Sequence, residues 1–512
     1  QRESRLEITE KVLTSQTLCN RFDQVVKRFP NNLAVKTPSS ALTYAELDSL
    51  ANGLARHLRR PGLDVSDRVG ILLSSGELSV LTEVGGLKAG LTLVYLNVSF
   101  PLQRLKEMVE ASKIRLLVTQ SAHLSVAHRL IEDESRIINL EEPGFLSPGE
   151  NPQMEILPET PTAIGFSSGS TGAPKLMIRD QTNDLHFIYR VSESIGLDSR
   201  DRILFTMGSL LMPFLALAHG GCYFPANLQH DGDLTALINW IKQEKITVLR
   251  APVSTFRALC WSLRDTDEFP DLRLIVLQGE PVYKADVAAY QDRFPESCVL
   301  VSSLGVSEFG DFCHFFVDAS TRLNTPTVPG GYPLEGIEVV LKNKPDANES
   351  AEGEIGIRGK FMSNATSQQI GGDTYYTGDL AKVDPDGCVY HLGRTDFQVK
   401  VRGNRVDLLA IESVLLDRDR VSGAAVVGDA DANGNTRLIA FIEPDSVDTA
   451  SIREALKETL PGYMIPERIV CLEKLPRTLT GKIDRKSLPA SIRIQSPAGA
   501  AKSGADQTLP ET

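Results

Sequence analysis

The chain has 512 residues, a formal net charge of -12 and 42% hydrophobic residues. A chain of this length is too long for one compact core, so we expect two or more domains. The negative charge argues against a nucleic-acid-binding protein, which needs a basic face, whereas a small anion needs only a local positive site.

The cysteines and the apolar runs bear on the compartment. Seven cysteines occur singly and without metal-ligand spacing, which fits the reduced thiols of a cytosolic protein better than a disulfide framework. The longest apolar run, near residues 210–218, is far shorter than the roughly 20 residues that span a bilayer. We therefore predict a cytoplasmic protein with no membrane partner. The start lacks an apolar signal region and a methionine, which predicts a fragment of a longer chain or a processed N-terminus.

Helices and short apolar strands alternate through most of the chain. Leu47, Ala51, Leu54 and Leu58 recur at helical spacing and predict an amphipathic helix over 44–59. Strands are predicted at 69–73, 114–119, 137–140, 162–166, 246–249, 274–277 and 299–301, with a helix following the first of them over 81–89. This alternation predicts an α/β fold with largely parallel sheets.

The pattern changes near Gly393. A helix over 408–416, strands at 423–427 and 438–442 and a helix over 451–459 predict a small α+β unit. From Ser496 the chain is rich in Ala, Gly, Ser and Pro without periodicity, which is typical of a linker. We predict a core over 1–395, a small C-terminal unit over 396–490 and a flexible linker over 491–512.

A loop rich in glycine and hydroxyl groups follows the strand predicted at 162–166. Its glycines let backbone N–H groups turn towards one centre, while its hydroxyls and lysine add donors and a positive charge. Taken alone, this cluster is compatible both with a phosphate-binding loop and with a flexible turn, and it lacks the Gly-Lys-Ser/Thr of the common phosphate loop. The residues concerned are Ser167, Ser168, Gly169, Ser170, Thr171, Gly172 and Lys175.

Four further motifs follow in order: Leu304-Gly-Val-Ser-Glu308, Tyr376-Thr-Gly-Asp379, the segment 393–405 and the segment 476–485. Together with the loop they resemble the adenylate-forming superfamily, which includes acyl-CoA synthetases, luciferase and the adenylation domains of nonribosomal peptide synthetases. The segments 42–47 and 87–90 are similar to the peptide-synthetase branch. The resemblance implies a large N-terminal domain of layered sheets and helices and a small, mobile α+β C-terminal domain.

The resemblance implies ATP and Mg²⁺ as cofactors and gives each motif a role. The loop would hold the β- and γ-phosphates, with Leu304, in place of the usual aromatic, and Ser307 beside the nucleotide. Asp379 would accept the ribose hydroxyls with help from Arg394, Glu308 would bind Mg²⁺, and Lys482 would be the principal catalytic lysine. Such residues suit the formation of an acyl-AMP, because two anions are brought together and positive charge and positioning supply most of the catalysis. Each alone is also compatible with a surface lysine, a turn residue or a charge at a helix N-terminus.

By the same resemblance, Asp396 matches a hinge about which the small domain rotates after adenylation. Lys400, Arg402 and Gly403 would then help to form a channel for a thiol. That thiol is either coenzyme A or the phosphopantetheine of a carrier protein, and the linker-like C-terminus favours the carrier.

The acid pocket departs from the family pattern. Met207 stands where an aspartate of amino-acid-activating domains pairs with the substrate ammonium, and a buried ammonium without a counter-charge is costly. The other pocket positions are Gly208, Leu211, Arg250, Val276, Gln278, Ser303, Asp311 and Phe312, and the apolar ones suit an aliphatic, aryl or keto acid.

Arg250 and Asp311 leave three readings open. They pair with each other across the pocket wall, or Arg250 meets a second carboxylate of the substrate, or Asp311 meets an amine away from the α-position.

We therefore predict activation of a small carboxylic acid, other than a standard α-amino acid, to its acyl-AMP. Transfer to a carrier protein in cis or in trans, within natural-product biosynthesis, would follow. The alternatives are a free-standing acyl- or aryl-CoA ligase, an adenylation domain for an unusual amino acid, and a non-catalytic adenylation-like binding module. The presence of Lys482, Asp379 and Glu308 counts against the last.

Overall fold

The computed structural model describes residues 16–59, 62–168, 174–207, 211–226, 233–342, 351–359, 373–394, 398–418, 421–431, 434–444, 446, 448–476, 483, 485 and 488. Within these ranges the α-helices, numbered α1 to α12 in chain order, are Leu18–Arg28, Tyr44–Leu58, Glu77–Lys88, Leu102–Ser112, Leu124–Leu130, Gln181–Ile195, Phe214–Leu217, Leu234–Gln243, Val253–Ser262, Lys284–Arg293, Leu408–Leu416 and Thr449–Thr459. None of these described helices combines the length and apolar character needed to cross a bilayer.

The strands, numbered β1 to β24 in chain order, form five sheets. They are Leu33–Lys36, Ala41–Thr43, Arg68–Leu72, Thr92–Tyr95, Leu116–Thr119, Ile137–Asn139, Pro161–Ser168, Pro174–Asp180, Arg202–Phe205, Cys222–Pro225, Val248–Pro252, Leu274–Gln278, Val299–Val306, Gly310–Val317, Tyr332–Pro333, Ile337–Leu341, Ala351–Gly359, Tyr375–Val383, Val389–Arg394, Gln398–Val401, Asn404–Asp407, Gly423–Ala430, Thr436–Glu443 and Arg468–Cys471.

Two large sheets form the body of the molecule. One has nine strands in the order β15-β14-β13-β12-β11-β9-β10-β1-β2, and the other has six in the order β6-β5-β3-β4-β7-β8. Their central strands are parallel, whereas β2, β8, β14 and β15 pair antiparallel at the margins. A single apolar cluster joins residues of both sheets with helices α2, α3 and α6, and most residues of the central strands are buried. Burial on two faces explains why the strands are near-continuous apolar runs.

Three smaller sheets complete the fold. Strands β16 to β19 form an antiparallel sheet, β20 and β21 form a hairpin, and β22, β23 and β24 form a three-stranded sheet in the C-terminal unit. Helices α11 and α12 pack on this last sheet and share an apolar cluster with it. The side chain of Asp407 accepts a hydrogen bond from the Leu409 N–H and so fixes the start of α11.

Most predicted elements occur close to their expected positions. The helix predicted over 44–59 is α2, which begins at a capping box formed by Thr43 and Glu46, and the C-terminal helix over 408–416 is α11. The expectation of largely parallel sheets holds for the two large sheets but missed the antiparallel sheet β16 to β19. Its strands alternate glycine, charged and apolar residues, as in Ala351–Gly359, and therefore lack the apolar run that revealed the buried strands.

Candidate functional site

A cleft of about 410 Å³ lies where the N-terminal part meets the hairpin β20–β21 and the C-terminal unit. Its walls are formed by β7, β8, β9, β11, β12 and the β13–β14 turn. Residues of β18, β19, the β20–β21 hairpin and the C-terminal unit complete them. The lining residues that matter below are Met207, Leu211, Arg250, Gln278, Ser307, Asp311, Asp379, Arg394, Lys400, Gly403, Arg405 and Tyr463. Residues that are as far apart in the chain as Tyr95 and Tyr463 therefore line one cavity.

The predicted phosphate loop connects two antiparallel strands beside this cleft. Strand β7 ends at Ser168 and β8 begins at Pro174, with Ser167 opposite Lys175 in register. The neighbouring strand residues Gly165 and Met177 line the cavity. Gly169, Ser170, Thr171 and Gly172 lie outside the described residues.

Asp379 is a buried carboxylate held by two cationic or polar neighbours. It lies on β18 directly opposite Arg394 on β19, whose Nη1 donates to Oδ1 of Asp379 at 2.9 Å. His391 Nε2 lies 3.1 Å from the same oxygen. Burial acts to raise the pKa of Asp379, but His391, Lys400 and Arg394 lower it to about 2. The carboxylate is thus a permanent acceptor, as recognition of ribose hydroxyls requires.

Lys400 extends from the β20–β21 hairpin into the same region. Its Nζ lies 3.5 Å from the Gly305 carbonyl oxygen, and burial lowers its pKa although the nearby Asp379 opposes that shift. The turn of the hairpin consists of Arg402 and Gly403, with φ of 49° and 78°. A Cβ added to Gly403 would lie 3.5 Å from Sδ of Met207, so this turn reaches the acid pocket.

Glu308 fits a role as a ligand of Mg²⁺, a hard cation that prefers oxygen. Its carboxylate is only partly buried and accepts from Arg405 Nη1 at 3.3 Å. The guanidinium of Arg405 is therefore already paired with the Glu308 carboxylate. Within the described part of the chain, no group of three or more His, Cys, Asp or Glu side chains is arranged to hold a metal. A magnesium ion here would accordingly take its other ligands from phosphate oxygens and water.

Five of the residues predicted for the acid pocket line the cleft: Met207, Leu211, Arg250, Gln278 and Asp311. Met207 and Leu211 line it together with the aromatic rings of Phe187 and Phe205. Gln278 lies beside Met207, with Nε2 3.9 Å from the thioether sulfur.

Arg250 and Asp311 pair with each other, as the first of the three readings predicted. Nη2 of Arg250 donates to Oδ2 of Asp311 at 2.6 Å, and both side chains are buried. Burial acts to raise the pKa of Asp311, but Arg250 and His314 hold it well below its usual range. The carboxylate is therefore charged at every physiological pH.

Four predicted residues are buried beside the cleft rather than lining it: Val276, Ser303, Leu304 and Phe312. Successive residues of a strand face opposite sides, so Asp311 faces the cavity while Phe312 packs with Leu304 in the cluster against β17. Gly208, Asp396, Lys482 and the linker over 491–512 lie outside the described residues. Ile483, next to Lys482, packs on the C-terminal sheet, and Arg485 forms an ion pair with Glu412 at 2.6 Å.

Sequence reasoning missed several residues that support the site. His391 is two positions before Gly393 and bonds Asp379, and His314 contacts Asp311. Arg190 donates Nε to the Asp311 carbonyl oxygen at 3.1 Å, which fixes the β13–β14 turn. The sequence did offer a signal for Arg190, because it lies on the apolar face of α6 between Phe187 and Val191. A cation buried there needs a partner, which predicts a contact with another part of the chain.

Glu83 is a further missed residue, and its side chain bonds the backbone of Leu211, which lines the cleft. It is 3% exposed on α3, and its Oε2 accepts the Leu211 N–H at 2.8 Å. Leu211 has a φ of 66°, a backbone conformation that a side chain disfavours and that this bond helps to hold. Burial raises the pKa of Glu83 from 4.5 to about 8.

Replacement of Glu83 by glutamine should remove a pH dependence of stability. Between pH 4.5 and 8 the folded carboxyl keeps a proton that the unfolded chain loses, so the free energy of unfolding falls as pH rises through that window. The amide mimics the protonated acid and still accepts from Leu211. We expect equal thermal midpoints at pH 5 and a variant more stable by on the order of 4 kcal/mol at pH 8.5. Parallel pH profiles for the two proteins would contradict the assignment.

Comparison with known proteins identifies the family and the fold of the chain. A family model described as AMP-binding enzyme matches residues 22–365, and another described as AMP-binding enzyme C-terminal domain matches residues 410–482. Tyrocidine synthase 3 of Brevibacillus parabrevis is 30% identical over 93% of this chain, and tyrocidine synthase 1 of the same organism is 27% identical over 91%. The chain spans only 8% and 44% of the length of these two relatives.

Solved structures share the fold at low sequence identity. The amide bond synthetase of Marinactinospora thermotolerans has a TM-score of 0.82 at 20% identity, covering 93% of this chain and 99% of that one. An artificially fused adenylation–PCP di-domain of a nonribosomal peptide synthetase from Klebsiella oxytoca has a TM-score of 0.75 at 22% identity, covering 89% and 94%. The predicted fold class and superfamily are thereby confirmed. The chain belongs to the AMP-binding enzyme family and is an adenylate-forming ligase.

Proposed function

We propose that this ligase activates a carboxylic acid other than a standard α-amino acid and passes the acyl group to the phosphopantetheine thiol of a carrier protein. The observation that carries the proposal is the meeting of two cavities at Met207. One is the cleft described above, and the other is a groove of about 780 Å³ between the N-terminal part and the C-terminal unit. Both are lined by Met207 and Tyr463, on either side of the turn at Arg402 and Gly403.

The charges of the cleft support an acid without an α-ammonium group. Among the described lining residues, only Asp311 and Asp379 carry carboxylates, and each already faces a guanidinium. Met207 offers an ammonium no counter-charge. An α-amino acid would therefore bury its charge without compensation, at a cost of several kcal/mol.

The chain's own residues would divide the reaction as follows. Asp379 and Arg394 orient the nucleotide through the ribose, while Lys482 stabilises the charge that develops as the acid attacks the α-phosphate and pyrophosphate leaves. Mg²⁺, held with the help of Glu308, supplies positive charge on the phosphate oxygens. Lys400 and Gly403 then face the acyl-adenylate, and the groove offers the thiol a path to the acyl carbon.

The groove also supports a carrier in preference to free coenzyme A. Its lining includes Trp261, which is 65% exposed, together with Arg453. Exposed tryptophan and arginine are enriched in protein-binding surfaces. The structure from Klebsiella oxytoca joins an adenylation domain to a PCP domain, which agrees with this choice.

The test is ATP–pyrophosphate exchange with fatty, aryl, keto, hydroxy and α-amino acids, followed by thioester formation on the best substrate. We expect a non-amino acid to give the fastest exchange. Replacing Met207 by aspartate should create exchange with an α-amino acid of matching side chain, because it supplies the counter-charge. A standard α-amino acid as the best substrate of the unaltered protein would contradict the first half of the proposal.

The acceptor is tested by comparing a phosphopantetheinylated carrier protein with free coenzyme A at equal concentration. We expect the carrier to be acylated faster, and replacement of Trp261 by alanine to slow carrier acylation without changing pyrophosphate exchange. Faster acylation of free coenzyme A would favour the alternative of a free-standing acyl- or aryl-CoA ligase.

A further inference from the structure

Arg250 is an arginine whose hydrogen-bonding capacity is only partly used. It lies on β11, is 2% exposed and lines the acid end of the cleft. Its Nη2 atom makes both recorded bonds, to Oδ2 of Asp311 and to Oε1 of Gln278. Its Nε and Nη1 atoms are buried and have no hydrogen-bond acceptor among the described residues.

Two other buried arginines pair their guanidinium groups more completely, although single nitrogens of Arg21 and Arg59 are also buried without a described acceptor. Arg190 directs its guanidinium to the carbonyl oxygens of Phe309 and Asp311. Arg257 binds both oxygens of Asp286 and also Asn435. Most buried N–H groups are paired in this way, because an unpaired one loses its hydration without compensation. The free donors of Arg250 therefore point to a ligand group that binds in the cleft.

The charge balance restricts what that group can be. Asp311 already neutralises Arg250, so a second carboxylate of the substrate would be buried there without a counter-charge of its own. An ammonium or amide nitrogen would bring further donors and would leave Nε and Nη1 of Arg250 without an acceptor. An uncharged oxygen that only accepts, as in a carbonyl group, satisfies both conditions.

The surroundings restrict the remainder of the ligand. The guanidinium lies over the ring of Phe205, 5.7 Å from its centroid, and Met207, Leu211 and Phe187 complete the wall. This wall is apolar apart from Arg250, Gln278, Asp311 and Arg179, which lies over the Phe187 ring and pairs with Asp184. We infer that the acid is an oxo acid, with an apolar skeleton and one carbonyl oxygen that accepts from Arg250. This inference rests on the proposed function and specifies its substrate class.

The experiment compares matched acids in pyrophosphate exchange with the unaltered protein. Hexanoate is compared with 2-oxo-, 4-oxo- and 5-oxohexanoate, and 3-phenylpropanoate with phenylpyruvate. Hexanedioate and 6-aminohexanoate represent a second carboxylate and a distal amine. We expect one oxo acid to exceed its parent by about 10- to 100-fold in kcat/KM, the size of a lost hydrogen bond to a buried charged donor.

A paired variant tests whether Arg250 is responsible for the preference. The double variant Arg250→Met with Asp311→Asn keeps the net charge of the pair at zero but removes the Arg250 donors. The ratio of kcat/KM for the oxo acid to kcat/KM for its parent acid should therefore fall to about one. The matched control is Arg273→Met with Asp201→Asn, which removes an Arg–Asp pair outside the cleft and should keep the ratio. Thermal unfolding monitors folding. If the paired variant does not fold, Arg250→Lys, which keeps the charge beside Asp311, should lower the ratio instead.

The outcomes separate the inference from the function on which it rests. Exchange with the parent acids that equals or exceeds exchange with every oxo acid would overturn the inference alone, as would preference for hexanedioate or 6-aminohexanoate. An unchanged ratio in the Arg250 variants would overturn it too. Absence of exchange with every acid, in protein that binds ATP, would contradict the proposed function and the inference with it.

Discussion

Replacement of Lys482 by alanine is expected to lower ATP–pyrophosphate exchange by about 100- to 1000-fold, the usual effect of removing one group that stabilises transition-state charge. The same variant should still transfer the acyl group from a supplied acyl-AMP, since Lys482 is assigned to the first half-reaction alone. Both rates are measured on one preparation, with a carrier protein as the thiol.

Two other lysines make this test specific. Lys457 is exposed and pairs with Glu454 on α12, so its replacement by alanine should change neither rate. Lys400 is buried in the cleft beside Asp379, and its replacement should slow transfer more than exchange. If the Lys400 variant lost exchange and the Lys482 variant kept it, the two lysines would have the opposite roles and no domain rotation would be needed.

Replacement of Gly403 by leucine is expected to abolish acyl transfer while leaving pyrophosphate exchange within about threefold of the unaltered rate. Gly403 has a φ of 78°, and a Cβ there would lie 3.4 Å from Pro252 and 3.5 Å from Met207 Sδ. A leucine side chain would therefore fill the junction between the cleft and the groove. We expect a loss of at least about 100-fold in transfer, since displacement of reacting groups by one ångström can cost that much.

Replacement of Gly279 by alanine tests the contact between the hairpin turn at Gly403 and the N-terminal part. A Cβ on Gly279 would lie 2.8 Å from the Gly403 Cα, so alanine should push the hairpin away and also slow transfer. Gly387 provides the matched control, because it has a φ of 89° but no atom within 4 Å of an added Cβ. Leucine there has the same backbone strain without the clash. An equal loss of acyl transfer in the Gly387 variant would show that backbone strain, and not a blocked junction, causes the loss in the Gly403 variant.

The nucleotide half of the site was the more predictable half. Asp379 and Arg394 were both identified from short motifs, and the structure places them opposite each other on adjacent strands. These motifs are local, since the chemistry of phosphate and ribose demands particular residues at fixed short spacing. His391 was missed because a histidine on a strand has many structural uses, and only the register of β18 and β19 shows that it meets Asp379.

The acid half depended on contacts that no spacing reveals. Arg250 and Asp311 are 61 residues apart, and Glu83 and Leu211 are 128 apart. The pairing of Arg250 with Asp311 was one of three open readings, and Glu83 was not considered at all. Phe312 was assigned to the pocket with Asp311, yet neighbouring residues of a strand face opposite sides, so only one of them lines the cleft.

The sequence by itself determined the fold class and the family, and it suggested most of the residues assigned to the nucleotide, because each is encoded in local periodicity or in a short motif of required residue types. Only the tertiary structure decided which side chains share the acid pocket, that two donors of Arg250 are left without a described acceptor, and that the hairpin at Gly403 separates two cavities. The physical reason is that strand order and strand facing determine these contacts, and both follow from packing over the whole chain instead of from neighbouring residues.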